Sequence, residues 1–189
     1  MKKILILIVT LVSLIFTLTL LGCERDDICA EAVATTPRLI IRFYDINNPD
    51  NLKQVRQLEV EGLIDGSDES NGIIIPRANT DSINLPLNFE SEMETFTRFR
   101  LTKDADFAND TNADGEDNED TVSNPDVITI KYTPEFIYVS RACGYKSIFN
   151  LDEIEGISRE VDEDIWITSF EIVNQTIDNE NAAQIIIYH

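Results

Sequence analysis

The chain has 189 residues, with 35 acidic and 15 basic side chains and a formal net charge of −20. A surface of this charge repels nucleic-acid phosphates and anionic lipid headgroups, so we expect no nucleic-acid partner. Hydrophobic residues make up 43% of the sequence, which excludes a disordered chain, and the length suits one domain with its own core.

Residues 1–22 have the layout of a secretory signal, in which basic residues 2–3 precede an apolar run over residues 4–21. Gly22 then precedes Cys23, and this ending resembles the lipobox of bacterial lipoproteins, whose cysteine thiol receives a diacylglycerol. Leu21 departs from that pattern, because a smaller residue is usual there. The alternative is an uncleaved transmembrane helix, since the run is close to the roughly 18 residues that make a span plausible.

The lipobox resemblance implies that Cys23 carries the lipid, with its palmitate-type acyl chains, and that the protein is held in the cell envelope at the outer membrane. Both alternatives place residues 24–189 outside the cytoplasm, because the basic start stays inside. Asp26 and Asp27 belong to an acidic stretch that resembles the surface-export tag of Bacteroidetes lipoproteins. A solvated tether is the alternative. The sequence therefore does not decide whether the protein faces the periplasm or the cell surface.

Two cysteines remain once Cys23 is assigned to the lipid. Cys29 and Cys143 form an even pair in an oxidising compartment, which predicts a disulfide between them. In the chain-entropy model a loop of this length stabilises the fold by at most about 4–5 kcal/mol. Two separate buried thiols are the alternative.

From Arg38 onward, the sequence is typical of short β-strands separated by turn residues. Leu39, Ile41 and Phe43 occupy alternate positions and predict a strand with one core face. The polar residues 47–51 predict the turn that ends this strand. Further segments with a strand pattern lie at residues 55–60, 83–89, 95–101, 127–132, 136–140, 165–173 and 183–188.

Prolines are expected to limit several of these strands. The apolar segment 73–75 is predicted to stop at Pro76, and residues 133–135, which include Pro134, predict a tight connection between two strands. Pro86 predicts an edge strand, because proline cannot donate to a sheet ladder. In the segment 95–101, alternation places Phe99 and Leu101 on the core face.

About nine or ten short strands and almost no helix predict an all-β fold. We expect a single antiparallel β-sandwich, immunoglobulin-like or similar, with an open barrel as the alternative. The predicted organisation is a lipoprotein signal peptide at residues 1–22, a lipidated tether at 23–37 and a β-sandwich domain at 38–189. An acidic insertion occupies residues 103–125 of that domain.

Four segments follow one another through the mature chain, at residues 26–29, 36–45, 137–146 and 185–188, and the third contains the sequence CGYK. Together they resemble an uncharacterised family of Bacteroidetes lipoproteins, a domain of unknown function, over most of the mature chain. The resemblance implies a lipoprotein and supports the pairing of Cys29 with Cys143. It implies no activity and no functional residue.

The acidic insertion contains the front half of a calcium loop. Asp110, Asn112 and Asp114 supply oxygen ligands at alternate positions, and Gly115 permits the sharp turn that brings them together. The back half departs from the motif, because Thr121 stands where the bidentate glutamate is needed. A weakly bound calcium ion is therefore the only cofactor that the sequence suggests, and a solvated acidic loop is the alternative.

Catalysis has little support, since the only histidine is His189, the last residue, where we expect a frayed end. A Ser-His-Asp or Cys-His arrangement needs its histidine held in a cleft. Trp166 could form a sugar-binding platform, but its apolar neighbours on one strand face favour the core. Four arginines form either one positive patch or separate ion pairs: Arg38, Arg42, Arg98 and Arg100.

These patterns predict an envelope-anchored lipoprotein with a non-catalytic binding or structural role, attached through its lipid and directed at an envelope protein or glycan. The alternative is a hydrolase that acts on envelope or extracellular glycans through paired carboxylates. A binder needs an exposed apolar or aromatic patch, whereas such a hydrolase needs two carboxylates that face each other in a cleft.

Overall fold

The structure is a computed structural model that describes residues 2–4, 13, 29, 35–105, 123–162 and 164–189. Strands make up most of these described residues, which confirms the all-β prediction. Twelve strands are described: β1 Leu39–Asp45, β2 Asn48–Leu52, β3 Val55–Leu63, β4 Ser70–Thr80, β5 Ser82–Leu85, β6 Thr95–Lys103, β7 Asn124–Ser140, β8 Gly144–Leu151, β9 Ile157–Arg159, β10 Ser169–Ile172, β11 Thr176–Ile177 and β12 Ile185–Tyr188.

The chain forms two compact units, one of residues 1–33 with 138–145 and the other of residues 34–137 with 146–189. The described part of the first unit consists chiefly of Cys29 and residues 138–145. The predicted division into signal, tether, domain and insertion stays a prediction, because its first 34 residues and the centre of the insertion are almost wholly outside the described ranges.

The smaller sheet has five strands in the order β10-β12-β1-β2, with β5 also paired to β1. β1 and β12 run parallel, with Ile41 opposite Ile185 and Phe43 opposite Ile187. The other pairs described in this sheet are antiparallel. A parallel pair requires a long connection between its strands, and β1 and β12 lie near opposite ends of the sequence.

The larger sheet has seven strands in the order β11-β8-β7-β6-β3-β4, with β9 also paired to β7. One hydrophobic core draws side chains from both sheets, among them Leu39, Ile41 and Phe43 of β1 and Phe99 and Leu101 of β6. This shared core agrees with the predicted sandwich, and all five inward positions were assigned by alternation. Full burial of one such side chain contributes about 1.5–3 kcal/mol.

Two prolines lie inside strands, so the interruptions predicted at these positions are wrong. β4 is an edge strand, and Pro76 lies where its register with β3 shifts between Ile75 and Ala78. A missing N–H costs little at such a position. β7 continues through Pro134, two residues beyond Tyr132, where its pairing with β6 ends.

The turn predicted at residues 47–51 is also wrong. The turn is shorter and occupies Ile46 and Asn47, and the polar segment that follows is β2. β2 forms an edge of the five-stranded sheet and is exposed along its whole length. An edge strand has no apolar face to bury there, so its sequence resembles that of a loop.

Candidate functional site

Several predicted site residues lie outside the part of the chain that the structure describes, and their roles stay predictions. They are the lipid and tag residues Cys23, Asp26 and Asp27 and the calcium residues Asp110, Asn112 and Asp114. Within the described ranges, no three or more His, Cys, Asp or Glu side chains gather to hold a metal ion. No helix in those ranges has the length and apolar character needed to cross a bilayer.

The predicted disulfide is present. Cys29 and Cys143 are bonded, their Cα atoms are 4.8 Å apart, and 114 residues separate them in sequence. Both cysteines belong to the first unit, where the backbone N–H of Cys143 also donates to the hydroxyl of Ser140. The alternative of two separate buried thiols is therefore excluded.

His189 is buried, so the expectation of a frayed end is wrong. Its ring packs edge-on against Phe43 and Trp166, with ring centroids 6.1 and 5.7 Å away. Its N–H donates to the carbonyl of Tyr44, and its own carbonyl accepts from the N–H of Ile46. Burial lowers the pKa of His189 below its usual 6.5.

Trp166 lies in the core, as its apolar neighbours predicted. It is 6% exposed, and its indole N–H donates to the carbonyl of Leu101 at 3.3 Å. Both its ring and that of His189 are therefore packed inside the sandwich, and neither is available to a ligand or substrate.

The four arginines considered as one patch lie on two different sheets. Arg42 is on β1 of the five-stranded sheet, and Arg38 directly precedes that strand. Arg98 and Arg100 are on β6 of the seven-stranded sheet, and both form ion pairs, Arg100 with Glu61 at 3.1 Å. The described ion pairs therefore favour separate pairs over a common positive surface.

The outer face of β6 carries one aromatic side chain between charged groups. Phe99 and Leu101 are buried, whereas Phe96 is 43% exposed on the opposite face. In the ladder Phe96 is opposite Lys131 of β7, which is paired with Glu94 and Glu155. Arg98, two residues along β6 from Phe96, begins a second charged cluster.

Two open recesses share Phe96 as a lining residue, and together we name them the β6 groove. The first has a volume of about 560 Å³ and is lined by Ile64, Asp65, Asn71 and Asn88 as well. The second has a volume of about 370 Å³ and is lined on its other sides by residues 66–68, Arg98 and Glu160. The groove thus offers an aromatic ring bordered by carboxylate, amide and guanidinium groups.

Arg98 fixes the loop between β3 and β4, which forms one wall of the groove. Its Nη1 donates to the carbonyl of Ser67 at 2.8 Å, and its Nη2 donates to Oδ1 of Asp68 at 2.8 Å. Glu160 accepts from Nε and Nη2 of the same guanidinium. The hydrogen bonds to Asp68 and then to Glu160 raise the pKa of Arg98 above its usual value, so it is a permanent cation.

Arg100 strengthens the same wall, since its Nη2 donates to the carbonyl of Asp68 at 2.7 Å. Behind the groove, the hydroxyl of Tyr132 donates to the carbonyl of Asn88 at 3.0 Å and lies 2.7 Å from Oγ1 of Thr97. Burial raises the pKa of Tyr132 above its usual 10.0, so the phenol is neutral. These bonds hold both sides of the groove in place before any ligand arrives.

Asp68 and Glu160 are two carboxylates of the β6 groove that lie close together, as the pair of a glycan hydrolase would. Both bond one nitrogen of Arg98, so they are close enough for the separation of about 5 Å that retaining enzymes use. Each of the bonding oxygens is occupied by a guanidinium that can only donate, whereas a general acid must itself carry a proton. The arrangement therefore suits a structural clamp better than proton transfer.

A third recess, of about 540 Å³, lies on the five-stranded sheet and is lined by Ile40, Arg42, Tyr44, Asn84 and Ile186, among other residues. Arg42 is exposed, and in the described part of the chain it has no acidic partner. This recess offers a cation beside tyrosine, amide and carboxylate groups, the last from Glu180. One wall, residues 180–183, is held by the buried Gln184, whose side chain donates to the carbonyls of Asn179 and Ala182 and accepts from the N–H of Ile40.

A buried carboxylate, Asp126, lines none of these three recesses. Asp126 on β7 is fully buried, and its Oδ2 accepts the backbone N–H groups of Trp166 at 3.1 Å and Ile167 at 2.7 Å. Its Oδ1 has no hydrogen-bond partner among the described residues. Burial is the main reason why the pKa of Asp126 lies above its usual 3.8. Its role is to hold the segment that carries Trp166 against the core.

Part of the β6 groove could have been predicted from the sequence. The alternation that placed Phe99 and Leu101 inward also places Phe96 and Arg98 outward on the same strand. An exposed aromatic residue between charged groups is the feature that could have marked the site. The partners of Arg98 could not have been found this way, because Asp68 and Glu160 lie 30 and 62 residues away.

A family described as Family of unknown function (DUF6452) matches residues 57–189, which include the whole β6 groove. No curated protein and no solved structure matches the chain.

Proposed function

The chain belongs to this family of unknown function, and we propose that it is a lipid-anchored, non-catalytic binding module of the cell envelope whose ligand lies in the β6 groove. One observation carries the binding role: Phe96 is 43% exposed between two recesses whose walls are held by hydrogen bonds. An exposed aromatic ring that is costly to leave in water, in a prearranged site, favours association with a partner.

The anchor is supported by the signal-like residues 1–22, by Cys23 directly after Gly22, and by the resemblance to Bacteroidetes lipoproteins that includes the CGYK segment. The disulfide supports a location outside the cytoplasm, because such bonds persist in oxidising compartments. The net charge of −20 opposes attraction to anionic headgroups, so attachment rests on the lipid of Cys23.

The chemistry of the groove fits a neutral, hydroxyl-rich ligand, and we propose an envelope glycan. The C–H face of a sugar ring packs on an aromatic side chain, and its hydroxyls bond carboxylate and amide groups such as those of Asp65, Asn71 and Asn88. Arg98 is paired with both Asp68 and Glu160, and Asp65 adds a further carboxylate, so the groove is net negative and favours a neutral ligand over an anionic one.

The groove is tested by replacing its aromatic ring. Phe96→Ala should weaken binding of soluble, neutral oligosaccharides released from the cell envelope at least tenfold in isothermal titration, because the stacking surface is removed. Phe170→Ala is the matched control: Phe170 is 37% exposed on the other sheet, and its loss should leave binding unchanged. Equal affinity of wild type and Phe96→Ala for whichever glycan binds would refute the site.

The choice between binder and hydrolase is tested with the same glycans. A binder leaves their chain length and reducing ends unchanged after prolonged incubation. Glycan cleavage that is lost in both Asp68→Asn and Glu160→Gln would establish the hydrolase instead.

The anchor is tested separately by metabolic labelling with a fatty-acid analogue. The wild type should be labelled and should enter the detergent phase, and Cys23→Ser should do neither. Protease added to intact cells should digest the protein if it is displayed, and replacement of Asp26 and Asp27 by Ala should then protect it. An unlabelled wild type would refute the anchor without bearing on the groove.

A further inference from the structure

The described part of the first unit carries two neighbouring exposed tyrosines, and we name residues 138–145 the tyrosine tip. Tyr138 is 54% exposed and Tyr145 is 70% exposed. Their rings form an edge-to-face pair with centroids 5.4 Å apart. Arg141 between them is also exposed, and residues 138–145 contain no acidic side chain, in a chain whose net charge is −20.

The disulfide ties the tyrosine tip to the start of the mature chain. Cys143 is bonded to Cys29, with 4.8 Å between their Cα atoms. Cys29 follows Cys23 by only six residues. A fully extended chain spans at most about 3.6 Å per residue, so Cys29 cannot lie farther than about 22 Å from Cys23. This distance is about half the thickness of a bilayer with its headgroups, about 40–45 Å. Cys29, and Cys143 bonded to it, therefore have to lie close to the lipidated residue.

We infer that the tyrosine tip rests in the headgroup layer of the membrane that holds the lipid of Cys23, an inference that depends on the proposed lipid anchor. Tyrosine is enriched at membrane interfaces because its ring is apolar and its hydroxyl is wet. Arg141 is suited to lipid phosphates, which it can bond in bidentate fashion. The acidic remainder of the chain is repelled by the anionic membrane surface. The electrostatic field of that surface therefore directs the tyrosine tip, rather than the rest of the chain, towards the membrane.

The test uses the native lipidated protein, reconstituted in vesicles of phosphatidylethanolamine and phosphatidylglycerol that carry a nitroxide on part of their headgroups. Tyr145→Trp places a fluorescent probe at the tip, where the exposed side chain tolerates the change. The natural Trp166 is 6% exposed, so the wild type supplies the unquenched baseline. Phe96→Trp is the control for an exposed aromatic position elsewhere.

Headgroup nitroxides should quench the Tyr145→Trp signal at least threefold more than the Phe96→Trp signal. Arg141→Glu, added to Tyr145→Trp, should reduce that quenching, whereas Arg38→Glu, which changes another exposed arginine, should leave it unchanged. Flotation with the vesicles reports the anchor independently. Protein that floats without preferential quenching at the tip overturns this inference and leaves the anchor intact. Protein that does not float overturns both.

Discussion

Asp126 offers the sharpest test of how the core is held, because one buried oxygen accepts two backbone N–H groups. Its Oδ2 bonds Trp166 and Ile167, and the side chain is fully buried. Asp126→Ala would leave both N–H groups without an acceptor, while Asp126→Asn would keep one oxygen in the same position. The two variants therefore separate the hydrogen bonds from the charge.

The expected loss of folding stability follows from these two hydrogen bonds. A buried donor without a partner costs about 1–3 kcal/mol, so two such donors cost about 2–6 kcal/mol in Asp126→Ala. Removal of a buried charge offsets part of this loss, and we expect a net destabilisation of about 2–4 kcal/mol. Asp126→Asn should stay within about 1 kcal/mol of the wild type, since its carbonyl can accept from both Trp166 and Ile167.

Urea unfolding measures both values directly. Trp166 is the only tryptophan and belongs to the segment that Asp126 holds, so its fluorescence reports the transition. An alanine variant as stable as the wild type would refute the reasoning. Equal losses in Asp126→Ala and Asp126→Asn would show that the charge, rather than the two hydrogen bonds, stabilises this site.

The charge itself should appear in the pH dependence. Burial raises the pKa of Asp126 above 3.8, so above this pH the folded protein retains a proton that the unfolded chain has lost. Stability from this group therefore falls as the pH rises from 3.8 through the folded pKa. Asp126→Asn lacks this group, and its stability relative to the wild type should increase as the pH rises from 3.8 through the folded pKa. An unchanged difference across that range would contradict the raised pKa.

Three further changes test other parts of the structure. Cys29→Ser or Cys143→Ser should each cost about 2–5 kcal/mol in urea unfolding, with no additional loss in the double variant, and two titratable thiols in the oxidised native protein would contradict the bond. Arg98→Met should speed amide hydrogen exchange in residues 64–69, and unchanged exchange would show that Arg98 does not hold this loop. Burial lowers the pKa of His189, so stability from this group falls as the pH drops below 6.5. His189→Phe should remove that fall, and its persistence would assign it elsewhere.

The side chains of the core were largely predictable because alternation reports directly which face of a strand is buried. Leu39, Ile41, Phe43, Phe99 and Leu101 were all placed inward by their spacing, and each is at most 1% exposed. A period of two residues is a local property of the strand, so it needs no knowledge of the partners.

Strand boundaries and pairing were less predictable because they depend on neighbours. Pro76 and Pro134 resemble breaks in the sequence. Pro76 lies at a register shift in an edge strand, and Pro134 lies past the end of the β6 pairing of β7. His189 resembles a frayed end until Tyr44 and Ile46 are known to bond its backbone. In each case the local structure depends on a partner strand or residue that is remote in sequence.

The same distinction, between local sequence features and contacts remote in sequence, applies to the lipid anchor and to the β6 groove. The anchor is inferred from contiguous residues that end at Cys23, upstream of residues 57–189, where the family match lies. One wall of the β6 groove is held by Arg98, whose partners lie 30 and 62 positions away, and no short motif encodes such a clamp. Labelling of Cys23 can therefore succeed whether or not Phe96 binds a glycan. The two roles have to be tested by separate variants, because neither result implies the other.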